Sequence, residues 1–148
     1  MTDIRFYHMI TKRLEQALPE LLSKALTVQP RIVVKAGSRE RVETLDSLLW
    51  TYDPASFMPH GYVRDGNEAE QPVWLTTEDD NPNGAKMLVL ADGATSPHIA
   101  DYALCCELFD GNDENAVAAA RSRWTAYKAA GHELTYFQQD EQGRWVKK

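Results

Sequence analysis

The side chains that could support catalysis are few and scattered in this sequence. Its four histidines are His8, His60, His98 and His132. None is paired with a second ligand type at the spacing of a metal site, so we expect ordinary surface or partly buried roles for them. Ser96, His98 and Asp101 could form a Ser-His-Asp arrangement, but sequence neighbours rarely reach the geometry that such a triad needs. We therefore expect no catalytic residues, metal or cofactor.

The two cysteines and the acidic residues after them favour structural roles. Cys105 and Cys106 are neighbours in an apolar run, where a strand would point their side chains to opposite faces. Thiolate chemistry needs a positive and partly open setting, so burial is the better interpretation and no disulfide is expected. The acidic residues that follow could suggest a metal site, although Asp110 and Asp113 are more typical of a strand-to-helix turn.

A helical stripe near the C-terminus favours binding over catalysis. The helix predicted from Glu114 to Ala130 carries this stripe at spacings of four, three and four residues, as Val117, Arg121, Trp124 and Lys128. A tryptophan flanked by cations can hold an acidic peptide that ends in an apolar residue and a free carboxylate, which Arg121 would bind. In the alternative, which periodicity alone favours, Trp124 packs beneath a neighbouring loop and the two cations are solvated.

A second segment, from Leu48 to His60, is rich in large apolar side chains. It carries Trp50 and the sequence Phe57-Met58-Pro59, where a predicted helix runs out into a loop. Such a loop usually covers its own sheet, but its aromatic residues could instead anchor another protein, because aromatics are favoured at interfaces. The sequence pattern leaves both alternatives open.

Composition restricts the class of protein. With 148 residues, 43% of them hydrophobic, the chain is long enough for one compact domain, and we predict a single domain over residues 1–148. A formal net charge of -6 opposes a broad nucleic-acid surface. No apolar run approaches the ~20 residues of a membrane helix, and the N-terminus lacks the pattern of a signal peptide, so we expect a cytoplasmic protein without membrane contact.

Alternating strand and helix patterns predict an α/β fold. Strands are predicted at Ile4–His8, Arg31–Val34, Val73–Thr77, Lys86–Leu90 and Leu104–Phe109, with a final hairpin in the tail. Helices are predicted after the first, second and fifth of these strands, and a long loop from Pro54 to Pro72. Near-continuous apolar strands favour an open, largely parallel sheet with helices on both faces.

An open parallel sheet also allows a small nucleotide-dependent α/β enzyme as an alternative. The turns after the first two strands are YHMITK and KAGSRE, which match neither a dinucleotide fingerprint nor a phosphate loop with a lysine. Direct binding of single-stranded DNA is a third alternative, which the acidic balance disfavours.

Four segments of the chain resemble the chi subunits of bacterial DNA polymerase III. They are FYH near the start, LDSLLWTYDPASFMPH at 45–60, PVWLT at 72–76 and ARSRWTAYKAAG at 120–131. The resemblance implies a Rossmann-like three-layer fold without nucleotide chemistry and a non-catalytic accessory role in DNA replication. It also implies one surface for the psi subunit of the clamp loader, another for the acidic C-terminal tail of single-stranded DNA-binding protein, and only indirect contact with DNA. Any nucleotidyltransferase activity would belong to the whole polymerase complex.

The resemblance also assigns the tail-binding residues. Arg121 and Trp124 match the arginine and aromatic residue with which the family binds the tail. The family often has basic residues where this chain has Val117 and Thr125. We therefore expect the positive charge there to be weaker, or to come from Arg123 and from Lys128.

The partner surface is likewise assigned by the resemblance. Trp50 and Phe57 match the aromatic positions that the family offers to psi, and Met58 and Pro59 complete that apolar patch. The same surface would suit a repair helicase that competes with psi.

Overall fold

The computed structural model describes residues 2–51 and 60–148, whose backbone forms an eight-stranded sheet and three α-helices. The strands are β1 (Asp3–Met9), β2 (Ile32–Lys35), β3 (His60–Gly61), β4 (Val73–Thr76), β5 (Met87–Ala91), β6 (Leu104–Asp110), β7 (Glu133–Gln139) and β8 (Trp145–Lys147). The helices are α1 (Leu14–Ala25), α2 (Arg39–Thr51) and α3 (Glu114–Ala129).

The sheet is parallel except at one edge. Its strand order is β3-β4-β2-β5-β6-β1-β7-β8, and only the β7–β8 pair is antiparallel. The predicted α/β class, the Rossmann-like parallel sheet and the C-terminal hairpin are therefore confirmed. β3 lies in the segment predicted as a loop, because two residues are too short to produce a periodic pattern; it pairs with β4 through His60 and Val73. β1 lies between β6 and β7 near the centre of the sheet.

Two apolar cores lie on the two faces of the sheet. Buried residues of α1 and α2 pack with β2 and β5 on one face, while α3 packs on β1 and β6 on the other. Cys106 belongs to the first core and Cys105 to the second, as the alternation along a strand predicted. Burial raises the pKa of the Cys106 thiol to about 12, which keeps it protonated.

Among the described residues, no helix combines the length and the apolar character that crossing a bilayer requires.

Side chains cap the N-termini of α2 and α3. Ser38 Oγ accepts a hydrogen bond of 3.1 Å from the backbone N–H of Arg41 in the first turn of α2. Asp113 Oδ1 accepts from the backbone N–H groups of the second and third residues of its helix, which fixes the start of α3. Gly131, with a φ of 86°, follows the end of α3 in the left-handed region that favours glycine.

Gln139, at the end of β7, organises the loop between β1 and α1. Its Oε1 accepts hydrogen bonds from the backbone N–H groups of Ile10, Thr11 and Lys12, at 2.8 to 3.0 Å. The Gln139 side chain is buried, so these three groups are satisfied without water. A residue from the far end of the chain thus fixes the carboxyl end of β1, beside the site described next.

Candidate functional site

Trp124 of α3 lies on an aromatic cluster that covers β1 and β7. Its indole meets the ring of Phe6 edge-on at a centroid distance of 5.3 Å and that of Tyr136 at 5.9 Å. Tyr127, one turn further along α3, lies 6.0 Å from Phe6. These contacts fix the orientation of Trp124, which is half-buried rather than covered. Trp124 therefore packs on the sheet rather than beneath a loop, and part of the residue stays accessible to solvent.

A cleft of about 310 Å³ opens beside this cluster. It is lined by Ala120, Arg121, Trp124, Thr125 and Tyr136. Ala120 is buried and the two aromatic rings supply apolar walls, while the exposed Arg121 stands at the rim. Among the described residues, no carboxylate pairs with the guanidinium of Arg121. The cleft can therefore take an apolar group and place an attached anion beside a free cation.

A second depression, of about 470 Å³, lies on the other side of Arg121. It is lined by His8, Gly111, Glu114, Val117, Ala118 and Arg121. Arg121 therefore belongs to both clefts, Trp124 to the first and Val117 to the second. Lys128 is exposed on the last turn of α3 and lines neither of them. Three of the four residues of the predicted stripe therefore line the two clefts, and Arg121 is the residue common to both.

His8 and Tyr136 connect the two clefts, and neither was a predicted site residue, since the sequence analysis gave His8 an ordinary surface or partly buried role. The His8 Nδ1 atom lies 2.5 Å from the Tyr136 hydroxyl. Burial and the nearby Arg121 lower the pKa of His8, against a smaller opposing effect of Asp110. Burial raises the pKa of Tyr136. Strand alternation could have predicted that His8 lies near the site, because His8 shares the face of β1 that carries Phe6. The position of Tyr136 depends on the register between β1 and β7, which the sequence pattern does not give.

Arg123, which the sequence offered as a further cation for the site, is turned inward. Its Nε atom lies 2.5 Å from Oε1 of Glu107 on β6, whose side chain is almost fully buried. Burial raises the pKa of Glu107, while the positive charge of Arg123 acts in the opposite direction. The expectation that Arg123 supplies positive charge to a ligand is therefore wrong, because its guanidinium is already paired with a buried carboxylate.

Trp50 lies on the other face of the sheet, at the C-terminal end of α2. The residue is 50% exposed, and its ring lies 4.4 Å from the ring of the buried His60. His60 is held in turn by Asp46, whose backbone carbonyl lies 3.0 Å and whose carboxylate lies 3.2 Å from Nε2. Burial raises the pKa of Asp46, and the charge of His60 opposes that effect. Trp50 is thus half exposed to solvent while its ring packs against His60.

The other three residues predicted for that surface, Phe57, Met58 and Pro59, lie outside the described residues. No geometry is assigned to them. In the sequence they lie between α2 and β3, immediately before His60.

The candidate catalytic residues occupy separate, structural positions. Ser96 Oγ accepts from the backbone N–H of His98, and the exposed His98 Nδ1 lies 3.7 Å from Asp101, so the three do not form a hydrogen-bonded relay. Asp110 and Asp113 accept from backbone N–H groups, as the turn interpretation predicted. Across residues 2–51 and 60–148, no three histidine, cysteine or acidic side chains gather as ligands for a metal.

Comparisons with known proteins give a consistent family. A family profile described as the DNA polymerase III chi subunit, HolC, matches residues 1–135. A protein described as a probable DNA polymerase III subunit chi in Rickettsia prowazekii (strain Madrid E) is 32% identical over 90 residues. Those residues make up 61% of this chain and 54% of the relative, so the chain spans about half the length of that relative.

Proposed function

This chain belongs to the family of DNA polymerase III chi subunits, and on that premise we propose that it is a non-catalytic accessory subunit that joins two replication partners. One partner is the acidic C-terminal tail of single-stranded DNA-binding protein, and the other is the psi subunit of the clamp loader. The observation that carries the proposal is the cleft in which the unpaired Arg121 stands beside the rings of Trp124 and Tyr136.

The cleft beside α3 fits a peptide that combines an apolar end with negative charge. An aromatic side chain that packs in the cleft against Trp124 and Tyr136 would bury apolar surface, a gain of about 1.5–3 kcal/mol for a full side chain. Its terminal carboxylate would receive hydrogen bonds from Arg121, which contribute about 1.5–3 kcal/mol when a charge takes part. Because the net charge of the chain is -6, an acidic ligand must be held by this local cation rather than by a broad positive surface.

The second surface is separate from the first, which is what a bridging protein requires. Trp50 ends a helix that packs on one face of the sheet, and Arg121 lies on the helix that covers the opposite face. Both partners can therefore bind at once. An exposed tryptophan whose ring is supported from below is typical of an interface anchor, and Phe57, Met58 and Pro59 would extend that anchor. A repair helicase would compete with psi for this same surface.

A recruitment experiment with two readouts tests the proposal. Single-stranded DNA coated with its binding protein is immobilised and retention of this chain on it is measured, while co-purification of the clamp loader with this chain is measured separately in the absence of DNA. We expect Arg121→Ala to lose retention on the coated DNA but to keep the clamp loader, and Trp50→Ala to do the reverse. Lys24→Ala, an exposed change in the last turn of α1, is the matched control and should keep both.

The pattern of losses decides the outcome. If both variants lost both partners, or if neither lost any, the assignment of the two faces to two partners would be refuted. If the wild-type chain were retained equally on coated DNA whose binding protein lacks the tail, the tail would not be the ligand.

A further inference from the structure

Tyr136 lines one of the two clefts, and its hydroxyl contacts a residue that lines the other. The Tyr136 ring lines the cleft that contains Trp124, and its oxygen pairs with Nδ1 of His8, which lines the other cleft. The guanidinium of Arg121 borders both clefts. A ligand carboxylate held by Arg121 therefore meets a hydroxyl whose proton is already engaged with a histidine.

The two nitrogens of His8 have different surroundings. The edge of the ring that carries Nε2 packs on Gly111 so closely that a Cβ atom there would lie 2.1 Å from Nε2. Interaction with the Gly111 backbone favours the charged form of the ring, as expected when a ring N–H faces a carbonyl. In the neutral ring only one nitrogen carries a proton, so a proton on Nε2 leaves Nδ1 as an acceptor. The hydroxyl of Tyr136 then donates to Nδ1 and presents only lone pairs to the cleft.

We propose that Tyr136 is a further ligand-binding residue of this site and that His8 positions its proton. When His8 takes up a proton from solvent, its Nδ1–H donates to the Tyr136 oxygen, and the Tyr136 O–H turns to the ligand carboxylate beside Arg121. Binding of the acidic tail is then coupled to the uptake of one proton. This inference rests on the proposed function, because the carboxylate is that of the tail.

The charges around His8 set the direction of the coupling. The groups that face it are Asp110 at the end of β6, Glu114 and Arg121 on α3, and Tyr136 on β7. Burial and Arg121 lower the pKa of His8 in the free protein. A carboxylate bound to Arg121 offsets that positive charge, so the pKa of His8 rises in the complex. Affinity is then greatest below the pKa of the free protein and declines as the pH rises through the pKa of the complex.

Titration calorimetry in buffers of different ionisation enthalpy measures this coupling directly. The probe is a peptide that copies the acidic, Phe-ending tail, with a free C-terminal carboxylate, at about pH 6 and about pH 8. We expect net proton uptake in the wild type and an affinity several-fold higher at the lower pH, with a limit of about tenfold per pH unit for one proton. The carboxyl groups of the peptide titrate near pH 4, outside this window.

Three variants separate the coupling from structural effects. His8→Leu removes the imidazole and should bind with the same affinity at the two pH values. Tyr136→Phe removes only the hydroxyl between His8 and the ligand, and should take up fewer protons than the wild type, because the charge of the bound carboxylate still acts on His8. His98→Gln is the control, because His98 is an exposed histidine in the turn before β6, and it should keep the proton uptake of the wild type. Tyr136→Phe keeps the inference testable if His8→Leu fails to fold.

The outcomes distinguish this inference from the proposed function. Wild-type binding without proton uptake, or proton uptake in Tyr136→Phe equal to that of the wild type, overturns the role of the His8–Tyr136 pair alone. A folded wild type that binds no peptide at either pH overturns the proposed tail site as well.

Discussion

Removing the inward-facing Arg123 tests how α3 is held on the sheet. Arg123→Ala removes the ion-pair partner of Glu107. The Glu107 carboxylate then stays buried without that partner, because the residue is only 1% exposed. The second oxygen of Glu107 has no hydrogen-bond partner among the described residues. Breaking a buried pair from one side costs about 3–5 kcal/mol, because an uncompensated charge stays buried. That loss is a large share of the ~5–15 kcal/mol by which a domain is stable.

The cost of Arg123→Ala should depend on pH in a defined direction. Burial already raises the pKa of Glu107 in the folded protein, and loss of Arg123 raises it further. A carboxyl whose folded pKa exceeds its unfolded value favours folding most when it is protonated, and this contribution is lost as the pH rises through the folded pKa. The stability deficit of the variant is therefore largest at neutral and alkaline pH and shrinks as the pH falls toward the ordinary range of a glutamate, about 4.3.

Urea unfolding of wild type and Arg123→Ala at several pH values measures the effect. Arg121→Ala is the matched control on the same helix, and should change the free energy of unfolding by less than about 0.5 kcal/mol because its side chain is exposed. Glu107→Gln added to Arg123→Ala should recover most of the loss, since it removes the buried charge. A deficit below about 1 kcal/mol at pH 8, or a deficit that is the same at all pH values, would refute the reasoning.

Two further predictions concern the other parts of the molecule. Trp50→Ala and Phe57→Ala should each abolish co-purification with clamp-loader components, and unchanged co-purification would contradict the assigned partner surface. The half-exposed Trp50 should in addition be replaceable with little change in the urea midpoint. Gln139→Leu should lower the free energy of unfolding by about 1–3 kcal/mol, because three backbone N–H groups lose their shared acceptor. A Gln139→Leu protein as stable as wild type would show that water replaces that acceptor.

Local signals made most of the fold predictable. Strand alternation placed Cys105 and Cys106 on opposite faces, and side-chain chemistry identified Asp110 and Asp113 as residues of a strand-to-helix turn, because both kinds of signal lie within a few residues along the chain. Helical spacing also placed Arg121 and Trp124 together, since residues three apart share a helix face.

The parts that were not predictable depend on contacts between distant segments. His8 and Tyr136 meet only because β1 and β7 are parallel neighbours in a particular register, which is not encoded locally because the two residues are 128 positions apart in the sequence. Helical periodicity placed Arg123 toward the core, but its partner Glu107 lies on another element. Without that partner the sequence offered Arg123 as a ligand-binding cation, although its charge is used inside the protein.

The measurement that tests the central claim most directly is a calorimetric titration of the acidic, Phe-ending tail peptide into wild type and Arg121→Ala. A dissociation constant near micromolar for the wild type, weakened by about 1.5–3 kcal/mol in Arg121→Ala, is the predicted result, since one charged hydrogen-bonding group is removed. Lys24→Ala should bind like the wild type. A folded wild type that does not bind the peptide, or an Arg121→Ala protein that binds it equally well, would contradict the assignment of this cleft to the tail.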